Sequence, residues 1–159
     1  MSMFMQNYDK STSKMYYRVR SSLIAALNEC LSEIKDCNLS NDIVFFDFDC
    51  HADIHEMPQK DVLGLKGFSF YDDDGVINLS TFIVCSTMDD LNGIRLSKIM
   101  GHVFGRFIGN KAICVLDEHK NKIAAITTVS GTEIMPMSKS DARMVQYIDV
   151  TAKISDTTR

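Results

Sequence analysis

The stretch L-K-G-F-S-F-Y-D-D-D-G-V-I-N-L-S-T-F-I-V-C-S, residues 65–86, predicts two neighbouring strands that are joined by a tight turn. Both flanks are rich in aromatic and β-branched side chains, which favour strands. Between them, Asp74 and Gly75 can adopt the positive φ angles that a two-residue hairpin turn requires. The aspartates at residues 72–74 are consecutive, whereas a calcium-binding loop spaces its acidic residues alternately, so we assign them to the turn.

One amphipathic helix is expected on each side of this hairpin. Apolar residues recur at spacings of three and four over residues 12–36, which is the period of a helix that buries one face. A second helix is predicted for residues 87–108, where a variant of the capping box begins at Thr87. Within it, Gly101 and Gly105 lie one turn apart and would let another backbone approach closely.

The remaining segments are predicted strands that complete an α+β fold. Residues 112–116 and 122–129 flank a second hairpin turn, residues 132–137 fit a short strand, and residues 143–154 alternate between apolar and polar side chains. Neighbouring strands with short turns are typical of antiparallel sheets. The order of elements indicates a mainly antiparallel sheet of five to six strands, with the two helices packed on one face.

The length of 159 residues is that of one domain, which can bury a core without metal or disulfides. We expect a flexible arm at residues 1–10, a single domain at residues 11–154 and a frayed tail at residues 155–159. The beginning of the chain lacks the pattern of a signal peptide, and no apolar run is long enough to span a membrane.

Composition and charge narrow the function classes. The apolar fraction of 45% and the charged fraction of 24% are those of an ordinary globular protein. A formal net charge of −4 argues against a dedicated nucleic-acid-binding module, which normally has a basic face. The five cysteines form no C-x-x-C pair and fit reduced core thiols of a cytosolic protein.

The segment at residues 42–55 is the place where the sequence most suggests chemistry. Its side chains alternate in character, so we predict a strand with an apolar back and a titratable front. The front carries Asp47, Asp49, His51, Asp53 and His55. Imidazole nitrogen and carboxylate oxygen suit zinc and other divalent ions. The candidate metal ligands are therefore His51, Asp53 and His55.

Geometry weighs against a metal site on this segment. Alternate residues of one strand are too far apart for more than two of them to hold one ion, so a second element would have to contribute ligands. The other histidines, His102 and His119, have no acidic partner at ligand spacing. We predict no metal and a solvated or subunit-facing acidic surface. The chain also lacks the phosphate-loop, G-x-S-x-G and H-E-x-x-H motifs, so no catalytic residue and no cofactor are predicted.

The order of elements resembles that of the tail terminator proteins of long-tailed bacteriophages. The resemblance is carried by Y-Y-R-V-R-S-S-L-I-A-A-L at residues 16–27, by residues 91–107 and by D-A-R-M-V-Q-Y-I-D-V at residues 141–150. It covers residues 12–154 as a pattern of elements. It implies a structural virion protein, a hexameric ring on the end of the tail tube, which stops tube assembly and presents a docking surface to the head-tail connector.

The same resemblance implies the partners and the location. The partners would be other copies of the chain, the tail tube or sheath protein and the head-tail connector protein, with no membrane involved. The protein would reside in the tail or neck of the virion after assembly in the host cytoplasm. DNA would pass only as cargo, and Asp47, Asp49 and Asp53 are candidates for an acidic face that lines the lumen or an interface, because like charges repel phosphate.

Three alternatives stay open at this point. The chain could be a small metal-binding protein or an enzyme that uses the face at residues 47–55. It could also be another neck or connector subunit of a tail. An adaptor or chaperone that acts as an interaction module is the third possibility.

Overall fold

The computed structural model describes residues 8–50, 56–107, 112–128 and 132–156, with side chains from residue 14 to residue 155. These residues form two helices and eight strands in an α+β arrangement. In chain order the elements are α1 (Tyr8–Asp36), β1 (Val44–Phe45), β2 (Val62–Asp73), β3 (Val76–Met88), α2 (Ile94–Gly105), β4 (Ala112–Leu116), β5 (Lys122–Thr128), β6 (Glu133–Ile134), β7 (Ser138–Ser140) and β8 (Arg143–Asp156).

Six of the described strands form one row in the order β1-β2-β3-β8-β5-β4, and the short strands β6 and β7 pair with β8. Every pair is antiparallel except β1 with β2, which is parallel. The sheet is therefore mixed, and the expected mainly antiparallel sheet needs this correction. In the parallel pair, Val44 lies beside Val62 and Phe45 beside Leu63.

The hairpin predicted at residues 72–75 is confirmed. Asp73 pairs with Val76, which leaves two residues in the turn, Asp74 with a φ of 53° and Gly75 with a φ of 85°. Two successive positive φ angles match the twist of the flanking strands. The Asp72 carboxylate accepts a hydrogen bond from the Gly75 backbone N–H at 3.0 Å, so the acidic run serves the turn.

The first helix ends as its sequence predicts, whereas the start of the second differs. Asn38 adopts a φ of 58°, and the Leu39 N–H donates to the Ile34 carbonyl at 3.0 Å, which closes α1. Strand β3 continues to Met88, and α2 begins at Ile94 after a single 3-10 turn, so the helix predicted from residue 87 starts too early.

Asp90, which lies four residues before the start of α2 at Ile94, caps the first turn of this helix. Its carboxylate oxygens accept the backbone N–H groups of Arg95 at 2.9 Å and Leu96 at 2.8 Å. The Thr87 hydroxyl lies within β3 and donates to the same carboxylate at 2.8 Å. The predicted capping box is therefore wrong, because Thr87 supports the cap and Asp90 provides it.

Both helices and one row of sheet residues share a single apolar core. On the sheet, Leu79 lies beside Ala152 and Ile83 beside Ile148, and all four are fully buried. The helices contribute the completely buried side chains Val19, Leu27, Ile34, Leu96, Ile99 and Val103. Each such side chain stabilises the fold by roughly 1.5–3 kcal/mol relative to exposure.

Close backbone packing occurs at a glycine that the sequence pattern did not indicate. No atom of the described residues would lie within 4 Å of a Cβ at Gly101 or Gly105, so the described part of the chain does not make the close approach predicted at these two positions. A Cβ at Gly64 in β2 would lie 1.6 Å from the Phe46 carbonyl oxygen. The Phe46 carbonyl therefore lies directly against Gly64, and only glycine leaves it room.

Candidate functional site

Residues 42–50, the described part of the segment predicted as one long strand at residues 42–55, are largely not a strand. Regular pairing covers Val44–Phe45, although the N–H groups of Phe46 and Phe48 still donate to carbonyls of β2 at 3.0 and 3.1 Å. A turn follows at residues 48–50. Asp47 and Asp49 consequently do not belong to one flat acidic strand face.

Asp49 binds the backbone of a bulge in the neighbouring strand β2. In β2 the pairing with β3 shifts between Lys66 and Ser69, so that two residues oppose one, and Gly67 has a φ of 68°. Such a bulge turns backbone N–H groups out of the ladder. The Asp49 carboxylate accepts the N–H of Gly67 at 2.7 Å and that of Phe68 at 3.2 Å.

Asp47 ties the turn to α1. Its carboxylate accepts a hydrogen bond from Arg20 at 2.6 Å, a backbone bond from Asp49 at 3.0 Å and a weak bond from the Cys50 thiol at 3.3 Å. Partial burial raises the pKa of Asp47, but the bonds from Arg20 and Cys50 outweigh it and leave that pKa below its ordinary value. Arg20 also lies 4.0 Å from Asp49, so one guanidinium offsets both carboxylates.

The candidate metal ligands His51, Asp53 and His55 lie outside the described residues. In the part of the chain that is described, no group of three or more His, Cys, Asp or Glu side chains is arranged to hold a metal ion. The prediction for these three residues stays a prediction. His102, for which the sequence indicated no acidic partner, has one across the helix pair, with Nε2 2.6 Å from the Glu33 carboxylate.

A buried ion pair that the sequence did not indicate joins four parts of the fold. Asp61, only 3% exposed, accepts two hydrogen bonds from Arg95, at 2.9 and 3.1 Å. It also accepts the Ser40 hydroxyl at 2.7 Å and the Met88 N–H at 2.9 Å. Burial raises the pKa of Asp61, but the bonds from Arg95 and Ser40 lower it below the ordinary value. All of these partners are remote in sequence, so no local motif marks the pair.

Arg143 fixes the chain that precedes β2 to the sheet. It is nine-tenths buried and donates to the carbonyls of Pro58 and Lys60 and to the Ser86 hydroxyl. Burial lowers the pKa of Arg143, and the negative charge of Asp61 partly opposes this shift. The perturbed groups of this region thus act as structural connectors.

The cysteines only partly follow the prediction of core thiols. Cys30 and Cys85 are buried, and burial raises the pKa of Cys30 to about 11. The other three thiols, Cys37, Cys50 and Cys114, are exposed. Burial of a thiol therefore does not follow from an apolar sequence context alone.

The sheet surface opposite the core residues of β3 and β8 carries a partly exposed cluster, which we call the outer patch: Lys66, Phe82, Tyr147 and Asp149. The Phe82 and Tyr147 rings meet edge to face with centroids 5.9 Å apart, and the Lys66 ammonium lies 6.0 Å from the Tyr147 ring centre. Asp149 lies directly opposite Phe82 on β8. Phe82 remains 39% exposed although it is a large aromatic side chain.

A groove of about 570 Å³ runs between α1 and β4. Small and apolar residues form its floor, among them Ala25, Ala26 and Ile113. Charged residues of both signs form its rim: Arg18, Glu29, Arg106, Asp117, Glu118 and Lys120. Tyr17, which is 69% exposed, also lines it. The Arg18 guanidinium on this rim lies 2.7 Å from the Glu118 carboxylate, so these two charges neutralise each other. The shape therefore suits a protein segment better than a small charged substrate.

Within the described ranges, no helix combines the length and the apolar character that crossing a membrane requires. Comparison with known proteins adds no assignment, because no family model and no curated protein matches the chain.

Proposed function

We propose that this chain is a structural virion protein that forms a hexameric ring on the end of a phage tail tube. The ring ends tube assembly and presents a docking surface to the head-tail connector. The proposal includes the predicted layering, in which both helices pack on one face of the sheet and leave the other face for partners. The partners are further copies of the chain, the tube or sheath protein and the connector.

The outer patch is the observation that carries this proposal. Aromatic side chains are enriched at the centres of protein interfaces because they bury a large area at a small cost in conformational entropy. Phe82 and Tyr147 contact each other edge to face, and Lys66 and Asp149 beside them supply both signs of charge. A patch of this kind is suited to repeated contacts between identical subunits.

The arrangement of the titratable groups supports a structural role. Asp47, Asp49 and Asp61 each accept several hydrogen bonds from backbone N–H groups or arginines. Carboxylates engaged in this way stabilise one conformation. The same contacts weaken the expected lumen role of Asp47 and Asp49, because Arg20 offsets their charge. For Asp53, which lies outside the described residues, that role stays a prediction.

The proposal is tested by the mass and shape of the purified protein, measured by light scattering and negative-stain microscopy over a range of micromolar concentrations. Rings of about six copies are expected, since heterologous contacts between identical subunits close into rings. Phe82→Glu should abolish them, while Leu91→Glu serves as a matched control at a site that is 79% exposed and does not belong to the patch. A protein that never exceeds a dimer would overturn the proposal.

A further inference from the structure

The described sheet ends at β4, and this edge lacks the usual protection. Among the described strands, β4 pairs only with β5, and its sequence A-I-C-V-L contains neither a charge nor a proline. Soluble proteins normally protect an edge strand with such residues, because its unpaired N–H and C=O groups attract other strands. The pairing of β4 with β5 does contain a bulge, but its extra residue, Ile123, lies on β5 and leaves β4 regular.

The strand has a pattern that is complementary to itself. Ala112, Cys114 and Leu116 are exposed, whereas Ile113 and Val115 are buried. If two β4 strands pair about a two-fold axis through Cys114, exposed residues of one strand lie beside exposed residues of the other, and buried residues lie beside buried ones. An isologous contact requires this property, because the same surface serves both partners.

The groove beside β4 supports a second copy as the occupant. On its rim Arg18 and Glu118 already pair with each other at 2.7 Å, and the other rim charges are two cationic and two anionic side chains, so a copy turned by two-fold symmetry can bring unlike charges together. The strand itself is uncharged, so two copies bring no like charges face to face at their closest approach. Tyr17 on the rim would lose much of its 69% exposure to the added chain.

We propose that two copies of this chain pair antiparallel through their β4 edges, with Cys114 opposite Cys114. The two six-strand rows would then form one continuous sheet. This inference goes beyond the proposed ring, since an isologous pair closes on itself whereas a ring needs a heterologous contact. Residues that face each other in an antiparallel pair have Cβ atoms about 4.5–5.5 Å apart, close to the distance that a disulfide spans.

Cross-linking tests the register. Cys37 and Cys50 are first changed to serine, which leaves Cys114 as the one exposed thiol of the described residues. Diamide is then added as the oxidant, and it takes up the two hydrogens that the paired thiols lose as the S–S bond forms. We expect a disulfide-linked dimer on a non-reducing gel. Cys114→Ser should remove it, and a dimer that persists without Cys114 would refute the register.

Light scattering in reducing buffer tests the contact without a covalent bond. We expect pairing through β4, as a dimer of chains or of rings, whose dissociation constant rises about tenfold or more in Cys114→Lys, because two ammonium groups would face each other across the axis. Leu91→Lys is the control at another exposed apolar position and should leave the dimer unchanged. Circular dichroism confirms that both variants are folded. A reduced protein that is monomeric at all concentrations overturns the inference.

The outcome separates this inference from the proposed function. Rings that survive Cys114→Lys, in a protein that gives no cross-linked dimer, would refute the β4 contact and leave the proposed function standing. Dimers that cross-link through Cys114 but never assemble further would support the contact and refute the ring.

Discussion

The ion pair of Asp61 with Arg95 gives the sharpest test of how this fold is held together. We consider Asp61→Asn, which keeps the size of the side chain and removes its charge. One Asp61 oxygen accepts from Arg95 Nη2 and the Met88 N–H, and the other accepts from Arg95 Nε and the Ser40 hydroxyl. In one orientation the amide nitrogen of asparagine would face two fixed donors, Arg95 Nη2 and the Met88 N–H. In the other it would face Arg95 Nε and the Ser40 hydroxyl, which can turn and accept, so an Arg95 donor is opposed in either orientation.

The expected loss follows from these contacts. Breaking a buried ion pair costs roughly 3–5 kcal/mol, and a hydrogen bond to a charged group contributes roughly 1.5–3 kcal/mol. The Arg95 side chain is 31% exposed and can turn partly toward water, which reduces the penalty of leaving it unpaired. We therefore expect a loss of about 3 kcal/mol in the free energy of unfolding. For a domain of this size, a loss of about 3 kcal/mol corresponds to a fall in Tm of about 6–12 °C.

Urea unfolding followed by circular dichroism measures the loss. Asp89→Asn is the matched control, since Asp89 is exposed and adopts a φ of 52°, a conformation that asparagine tolerates. Its effect should stay within about 0.5 kcal/mol. A loss below about 1 kcal/mol in Asp61→Asn would refute the reasoning, because the bidentate pair would then contribute no more than a single neutral hydrogen bond.

The pH dependence of the same pair has a definite sign. The pKa of Asp61 is lower in the folded protein than in the unfolded chain, so the folded state favours the ionised carboxylate. The stabilisation is complete above the unfolded pKa of about 3.9 and is lost as the pH falls through the folded value. The difference in stability between the wild type and Asp61→Asn should therefore shrink below about pH 4 and stay constant from there toward neutral pH.

Three further predictions concern packing, thiols and metal. Gly64→Ala should abolish folding or lower the free energy of unfolding by several kcal/mol, because its Cβ would lie 1.6 Å from the Phe46 carbonyl oxygen. Gly101→Ala should instead stabilise α2 by about 0.5–1 kcal/mol. Thermal unfolding of both variants measures the two effects. A colorimetric thiol reagent should modify the three exposed cysteines rapidly and reach Cys30 and Cys85 only on unfolding, so fast reaction of all five would contradict the burial. Purified protein should contain no stoichiometric zinc by elemental analysis, and a bound equivalent would revive the metal-binding alternative at the histidine segment.

Local pattern in the sequence predicted most of the regular elements. The periodicity of residues 12–36 and the alternation of residues 143–154 report on side-chain burial along one element, and that information is contained in neighbouring residues. The hairpin at Asp74 and Gly75 is likewise a local matter of φ angles. These predictions agree with α1, β8 and the β2–β3 turn.

The failures have a common physical cause. The alternation of residues 42–55 predicted a strand. Asp49 instead turns away to accept a hydrogen bond from the N–H of Gly67 in the bulge, 18 residues further along the chain. Asp61 and Arg95 are separated by 34 residues, and Gly64 lies beneath a carbonyl that belongs to another element. Contacts between distant segments are decided by tertiary packing, which a single sequence does not encode in its local pattern.

The close contact of the Phe46 carbonyl with Gly64 has a consequence for the order of folding. The segment after β1 lies on β2, and its turn depends on a bulge that exists only once β2 and β3 have paired. Local hairpins form faster than contacts between distant segments. We therefore expect β1 and its turn to join the structure late and to open first. Hydrogen exchange would show this as faster loss of the Phe46 and Phe48 amide protons than of those in the centre of β3, with equal protection contradicting it.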